Sequence, residues 1–104
     1  MVRAEILAVA VVAMFAGPGG AQSMDKATDC GYQAEVVAAV QQARKDRVGE
    51  RQVQQHVAEK ATWPENYNNA IPLIAGWLYG SDVSMRDIRN EDFAAAWKEL
   101  CLQQ

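Results

Sequence analysis

The sequence predicts an all-α protein, a small bundle of four to five short helices whose first and last helices are joined by one disulfide. Valines recur at helical spacing rather than in alternation, and alanine, glutamine and glutamate fill the positions between them. No Asn-Gly or Asp-Gly turn separates two alternating apolar runs, as a β-hairpin would require. The two cysteines, Cys30 and Cys101, fall in the first and the last predicted helix.

Residues 1–21 have the pattern of a cleaved signal peptide. Arg3 precedes an uninterrupted apolar run over residues 6–16, and glycines and a proline then break the helix. Small residues at Gly19 and Ala21 suit a signal peptidase, so cleavage is expected after Ala21. The run is too short to cross a bilayer, which needs about 20 residues as a helix. The sequence therefore predicts a periplasmic protein with a single helical domain over residues 22–104.

The cysteine pair predicts a structural cross-link. An even number of cysteines in an oxidising compartment is typical of disulfides, and two cysteines allow one intramolecular pairing. Closing a loop of about 70 residues stabilises a fold by about 4 kcal/mol when the unfolded chain is restricted. Bridged Cα atoms lie within about 7 Å, so Cys30 and Cys101 require the first and last helices to lie side by side.

The first half of the domain predicts two helices. The first begins near Thr28 or Asp29 and runs to about Asp46, where Gly49 ends the helix or turns the chain. The second runs from about Glu50 to Ala61, with a thin apolar stripe.

The middle of the chain is predicted to begin a new helix and then to form the central core helix. Thr62 is a possible cap, and Pro64 is tolerated in a first turn. Pro72 predicts either a kink near Asn68 or a fresh start near Asn69, because proline lacks a backbone donor. Residues 71–79 form the most apolar stretch of the predicted mature chain, and Gly80 ends it.

The last part predicts two helix starts. Ser84 and Asp87 have the spacing of a capping box, and Asn90 is expected to cap the final helix. In that helix Phe93, Trp97 and Cys101 recur every fourth residue. Phe93 and Trp97, together with Trp77, are therefore expected to fill the core.

The search for chemistry predicts no catalytic residue, no metal site and no cofactor, and hence a non-enzymatic protein. His56 is the single histidine, so a histidine-based metal cluster or a catalytic relay with a second base cannot be assembled. It is interpreted as a surface or boundary residue, with a pH sensor as the alternative. The net charge of −3 gives no basic footprint for nucleic acid or an anionic membrane. The short basic stretch from Arg44 to Arg51 is interpreted as a solvated helix end.

Trp63 and Tyr67 are the candidate partner-binding residues. They flank Pro64 and lie beside polar asparagines, so they could form an exposed amphipathic patch of the kind enriched at protein interfaces. Packing across the predicted kink is the alternative. The expected partner is a periplasmic protein.

Four features carry a resemblance to known proteins. The predicted signal peptide, Cys30 at the start of the first helix, the Trp-Leu-Tyr-Gly of residues 77–80 and the Ala-Ala-Trp-Lys-Glu-Leu-Cys of residues 95–101 together resemble small uncharacterised periplasmic helical proteins of proteobacteria. That group implies no activity. In size and in its single disulfide the layout is also similar to small periplasmic immunity proteins and to acid-stress chaperones. The sequence therefore predicts a protein-binding or regulatory module, with an acid-stress chaperone that exposes residues 71–79 at low pH as the alternative.

Overall fold

The computed structural model describes residues 25–104, so the predicted signal peptide and the first three residues of the predicted mature domain lie outside the described residues. Within the described range the fold is all-α and has no strand, which confirms the predicted fold class. The elements are α1 (Lys26–Lys45), α2 (Glu50–Glu59), a 3-10 helix (Glu65–Ala70), α3 (Ile71–Leu78), α4 (Met85–Asn90) and α5 (Phe93–Leu102).

Helix α1 begins and ends at different signals from those predicted. The Asp25 side chain caps the N-terminus by accepting from the Thr28 backbone N–H, three residues before the predicted start. At the other end Arg47 adopts a positive φ of 66°, and the Val48 backbone N–H donates to the Ala43 carbonyl. Arg47 therefore turns the chain. Gly49, predicted to do so, is instead the residue before α2.

The segment between α2 and α3 corrects a second prediction. Helix α2 ends at Glu59, and the Thr62 hydroxyl donates to the Glu35 carboxylate on α1 instead of capping a helix. The 3-10 helix follows Pro64 and leads directly into α3 at Ile71. The fresh start is therefore found two residues later than predicted, with Pro72 in the first turn, where its missing N–H leaves no bond unmade.

In the last part of the chain, the start of α4 was predicted correctly and the cap of α5 was assigned to the wrong residue. The capping box of Ser84 and Asp87 is confirmed at α4. Asn90 is the last residue of α4, and its side chain donates to the Arg86 carbonyl. Asp92 is the cap of α5, accepting from the Ala95 backbone N–H at 2.9 Å. An aspartate satisfies a helix N-terminus as well as an asparagine does, so sequence alone did not separate the two positions.

Helix α1 is the centre of the bundle and contacts every other element named above. One apolar core joins α1 to the inner faces of α2, α3 and α4, and its fully buried side chains include Val36, Val37, Val40, Val57, Ile71, Leu78 and Ile88. The buried Gln41 amide donates to the Ile88 and Glu91 carbonyls, each at 2.8 Å. This side chain fixes the junction between α4 and α5 against α1.

The directions of α3 and α5 follow from their contacts with α1. Tyr67, just before α3, bonds Asp29 at the start of α1, whereas the Leu78 carbonyl at the end of α3 accepts from Arg44 near the end of α1. Helix α3 is therefore parallel to α1. Helix α5 is antiparallel to α1, because its last turn carries Cys101, which is bonded to Cys30. No helix in residues 25–104 is both long and apolar enough to span a membrane.

Candidate binding surface

The Cys30–Cys101 disulfide closes one end of the bundle. The two sulfurs are bonded, the Cα atoms lie 5.7 Å apart and the cysteines are 71 positions apart in sequence. Cys30 is fully buried and Cys101 is partly exposed. The predicted pairing, and with it the contact between the first and last helices, is confirmed.

Trp63 and Tyr67 do not form the exposed patch that the sequence suggested. Each side chain is only 9% exposed. The Trp63 indole N–H donates to the Asn68 side chain at 2.8 Å, and the Tyr67 ring lies 5.3 Å from that of Tyr32. The alternative interpretation, packing across the turn, describes both residues. A direct contact between either of them and a partner stays a prediction.

A chain of polar side chains joins the 3-10 helix, α1 and α5. The Tyr67 hydroxyl donates to one oxygen of the Asp29 carboxylate at 2.6 Å, and the Gln33 amide donates to the other at 3.0 Å. The Trp97 indole N–H in turn donates to the Gln33 side-chain oxygen at 3.0 Å. These bonds tie three elements together near the disulfide.

The hydrogen bond to Asp29 and the surroundings of Tyr67 shift its pKa. Its pKa is raised to about 12, first by the hydrogen bond to Asp29, then by burial, and then by the charge of Asp29 and the neighbouring Tyr32. The neutral phenol is favoured because it can donate to the carboxylate, whereas a phenolate would face a second negative charge. Tyr67 is therefore a structural donor across the physiological pH range.

Arg44 supports the opposite end of α3. Its guanidinium donates to the Leu78 and Val83 carbonyls and lies 5.8 Å from the centre of the Tyr79 ring. The Tyr79 hydroxyl donates to the Val48 carbonyl at 2.6 Å, and burial raises its pKa, an effect that the charge of Arg44 opposes. Arg44 therefore complements the C-terminus of α3 and is partly buried, unlike the solvated helix end that was predicted.

An open cleft lies beside the disulfide, between the start of α1 and the end of α5. Its volume is about 480 Å³, and both cysteines, Trp97 and Leu100 contribute to its lining. Asp29 and Gln33 of the polar chain also line it, so the cleft has an apolar wall and a hydrogen-bonded polar part. Its polar groups already bond each other, which suits contact with a surface better than chemistry on a substrate.

Next to this cleft, apolar side chains of α3 and α5 face solvent. Leu73 is 80% exposed, Leu100 is 61% exposed and Trp77 is 37% exposed. The Trp77 ring lies 5.4 Å from Phe93 and 5.7 Å from Trp97, so the rings bridge the two helices. We call this the α3/α5 surface, and its members are Leu73, Gly76, Trp77, Phe93, Trp97 and Leu100.

The α3/α5 surface corrects the expected core. Trp77, Phe93 and Trp97 were predicted to be core residues, yet Trp77 is exposed and the other two are partly buried at the edge of the core. Helix α5 contributes no buried residue to the core. Its residues Phe93, Trp97 and Cys101 are only partly buried. The four buried residues of α3 are Ile71, Ile74, Ala75 and Leu78, so its remaining apolar residues point outward.

Sequence reasoning missed Leu73 and Leu100, although a signal was present. Helix α3 is apolar almost all round, and a helix packed on one side can bury only one stripe. Leu73 and Trp77 are four residues apart, so they share a stripe, and this stripe lies outside the buried one of Ile71, Ile74, Ala75 and Leu78. Which stripe turns inward depends on where α1 lies.

His56 lies half-buried on α2, beside a small cavity that Ala39, Ala43 and Val57 also line. This placement is that of a boundary residue. In residues 25–104 no group of three or more histidine, cysteine or acidic residues is placed to hold a metal ion.

Comparison with known proteins adds no relative: no protein family, no curated protein and no solved structure matches this chain.

Proposed function

We propose that this protein is a non-enzymatic, periplasmic binding module that holds a protein partner on the α3/α5 surface. The observation that carries the proposal is the exposure of Leu73 and Leu100 on neighbouring helices that are bridged by the indole rings of Trp77 and Trp97. Contiguous apolar patches of more than a few hundred Å² are rare on monomeric proteins and mark interaction sites. Tryptophan is also among the residues that contribute most to binding energy at interfaces.

Gly76 leaves open space on the solvent-facing side of α3, next to Leu73. It lies in the interior of α3, between Leu73 and Trp77, and a Cβ added there would meet no atom within 4 Å. Glycine in a helix interior costs about 0.5–1 kcal/mol relative to alanine, and no contact within this fold requires it. A missing side chain on an exposed stripe leaves a notch that a partner's side chain can enter.

The proposed compartment rests on the predicted signal peptide and on the disulfide. A disulfide that cross-links the two ends of a small domain is typical of oxidising compartments. An immunity protein that neutralises a secreted toxin is one form such a module takes.

The test measures binding of a purified partner, first identified by a photo-crosslinking amino acid placed at position 73. The double substitution Leu73→Asp and Leu100→Asp should weaken the measured affinity by at least tenfold, because two charges would enter an apolar interface. The thermal unfolding midpoint should change little, since both side chains face solvent. Leu102→Asp is the matched control, an exposed leucine of α5 outside the surface. Equal affinity of the double variant and the wild type would refute the proposal.

The alternative function, an acid-stress chaperone, has one observation in its favour. Asp29 is the acceptor on which the bonds from Tyr67 and Gln33 converge, so the link between α1 and the 3-10 helix depends on this one side chain. Loosening at this point would uncover the inner face of α3. The test is binding of an apolar dye to the oxidised protein at about pH 3, where acid-loosened states bind such dyes. A protein that stays closed and leaves an aggregating client unprotected excludes this function.

A further inference from the structure

We propose that the α3/α5 surface docks a second copy of this chain, giving a symmetric dimer in the absence of the partner. The proposal rests on the binding surface described above and names an occupant for it. Three features of the surface support a second copy: the matched order of its residues on the two helices, the notch at Gly76 and the absence of charge.

The apolar residues of α3 lie at the same heights along the bundle axis as those of α5. Because α3 is parallel to α1 and α5 is antiparallel to it, moving from Trp77 to Leu73 and from Trp97 to Leu100 goes in the same direction. The Trp77 and Trp97 rings lie 5.7 Å apart, so the two tryptophans share one level. Leu73 and Leu100 lie toward the same end of the bundle, beyond the tryptophans.

This arrangement is self-complementary about a two-fold axis. An axis parallel to α1, in the plane of the surface, places α3 of one copy over α5 of the other. Leu73 then meets Leu100 of the second copy, and the reverse contact is made at the same time. Such reciprocal contacts are the defining property of a two-fold interface.

The Gly76 notch fits this contact. Gly76 lies one turn from Leu73 on the solvent-facing side of α3, about 100° around the helix from Trp77, and a Cβ there would meet open space. Leu100 of the second copy, placed over Leu73, would lie beside this gap.

The surface carries no charge that would oppose self-association. Helix α3 contains no ionisable residue. On α5, Lys98 and Glu99 are rotated by about 100° and 200° from Trp97, whereas Leu100 is about 60° from it. The members of the surface therefore bring no like charges together, although each chain has a net charge of −3. The charged residues Lys26 and Asp29 line the cleft beside Trp97 and Leu100, at the edge of this surface.

The size of the surface predicts a weak dimer. Its exposed apolar side chains present on the order of 400 Å², comparable to the largest patches on monomeric proteins. A stable interface buries roughly 800 Å² on each partner. The dimer is therefore expected to dissociate in the micromolar range, which would let a tighter-binding partner replace the second copy.

The experiment measures the oligomeric state of the oxidised mature protein by sedimentation, from about 1 μM to about 1 mM, the range that reports weak association. The wild type should shift from monomer to dimer. Leu73→Asp and, separately, Leu100→Asp should each weaken association at least tenfold. Leu102→Asp, an exposed leucine outside the surface, should dimerise like the wild type.

A second measurement locates the interface. A photo-crosslinking amino acid at position 73 in isotope-labelled chains, mixed with unlabelled chains, should form a crosslink to the segment around Leu100 of the other chain. A monomer at every concentration overturns the proposal, as does a dimer that Leu102→Asp disrupts while Leu73→Asp does not. A monomeric protein whose partner binding is still lost in the Leu73→Asp and Leu100→Asp double variant would reject the dimer and retain the proposed function.

Discussion

Asp29 connects α1 to the 3-10 helix and, through Gln33, to α5. It lies in the first turn of α1 and accepts from Tyr67 before α3 and from Gln33, which itself accepts from Trp97 of α5. Hydrogen bonds to a charged acceptor contribute more to stability than neutral ones, about 1.5–3 kcal/mol against about 1 kcal/mol. One carboxylate thus helps to hold the 3-10 helix on the bundle.

The first prediction concerns the titration of Tyr67. Asp29→Asn removes the negative charge and leaves a weaker acceptor, so the pKa of Tyr67 should fall from about 12 toward its ordinary value of 10.0. Ultraviolet titration of tyrosinate measures this, with Tyr67→Phe identifying the high-pKa component. An unchanged high-pKa component in Asp29→Asn would contradict the assigned cause.

The same shift sets the sign of a pH effect on stability. Because the pKa of Tyr67 is higher in the folded protein than in the unfolded chain, its contribution is fully present below pH 10 and is lost as the pH rises through about 12. The free energy of unfolding of the wild type should fall over this window more steeply than that of Tyr67→Phe.

At the scale of elements, α5 differs from the other helices because it contributes no fully buried residue. It is held to α1 by the disulfide in its last turn and by the Trp97–Gln33 bond, and its rings contact Trp77. An isolated helix of this length is marginal in water. Its place in the bundle therefore depends strongly on the cross-link.

The second prediction follows from that dependence. Reduction of the disulfide should lower the free energy of unfolding by about 4 kcal/mol. Hydrogen exchange should accelerate first in the amides of α5, before those of α1 and α3. The double substitution Cys30→Ser and Cys101→Ser should reproduce the effect without reductant. Equal acceleration in all helices would show that α5 is not the weak element.

The third prediction concerns the α3 notch. Gly76→Ala should raise the free energy of unfolding by about 0.5–1 kcal/mol, because the added Cβ meets no atom and alanine favours a helix. Docking on the α3/α5 surface should weaken at the same time. Gly80→Ala is the control, since its Cβ would lie 3.0 Å from the Gly76 carbonyl oxygen and should give no gain. Denaturant unfolding measures both, and a destabilised Gly76→Ala would contradict the open notch.

For the whole molecule, the disulfide compensates for the small size of the domain. A domain of this size buries only about 60% of its unfolded surface and has limited stability of its own. Restricting the unfolded chain compensates for the limited core.

The fourth prediction tests processing. Protein recovered from the periplasm should have the mass of a chain that begins at Gln22, because cleavage is expected after Ala21. Alkylation without reductant should label neither Cys30 nor Cys101, whereas alkylation after reduction should label both. A chain retaining residues 1–21, or two thiols that react without reductant, would contradict the predicted export.

Much of the fold was accessible from sequence because the signals were local. Helical spacing of the apolar residues, the capping box at Ser84 and the pairing of two cysteines each depend on near neighbours or on simple counting. One error occurred where two residues offered the same local chemistry, since Asp92 caps α5 although Asn90 was available. The other occurred because Arg47 turns the chain with a positive φ, a conformation that glycine adopts more readily, although Gly49 lies two residues on.

By itself the sequence determined the helical class, the order of the elements and the cross-link between the first and last helices. Tertiary structure decided which side chains face solvent. Tyr67 became buried because the 3-10 helix places its ring against Tyr32 of α1, and Trp63 joins the same core. Leu73 and Trp77 became exposed because α3 buries only the stripe of Ile71, Ile74, Ala75 and Leu78. A nearly all-apolar helix has no preferred inner face of its own, so only the position of its neighbour leaves one stripe available for binding.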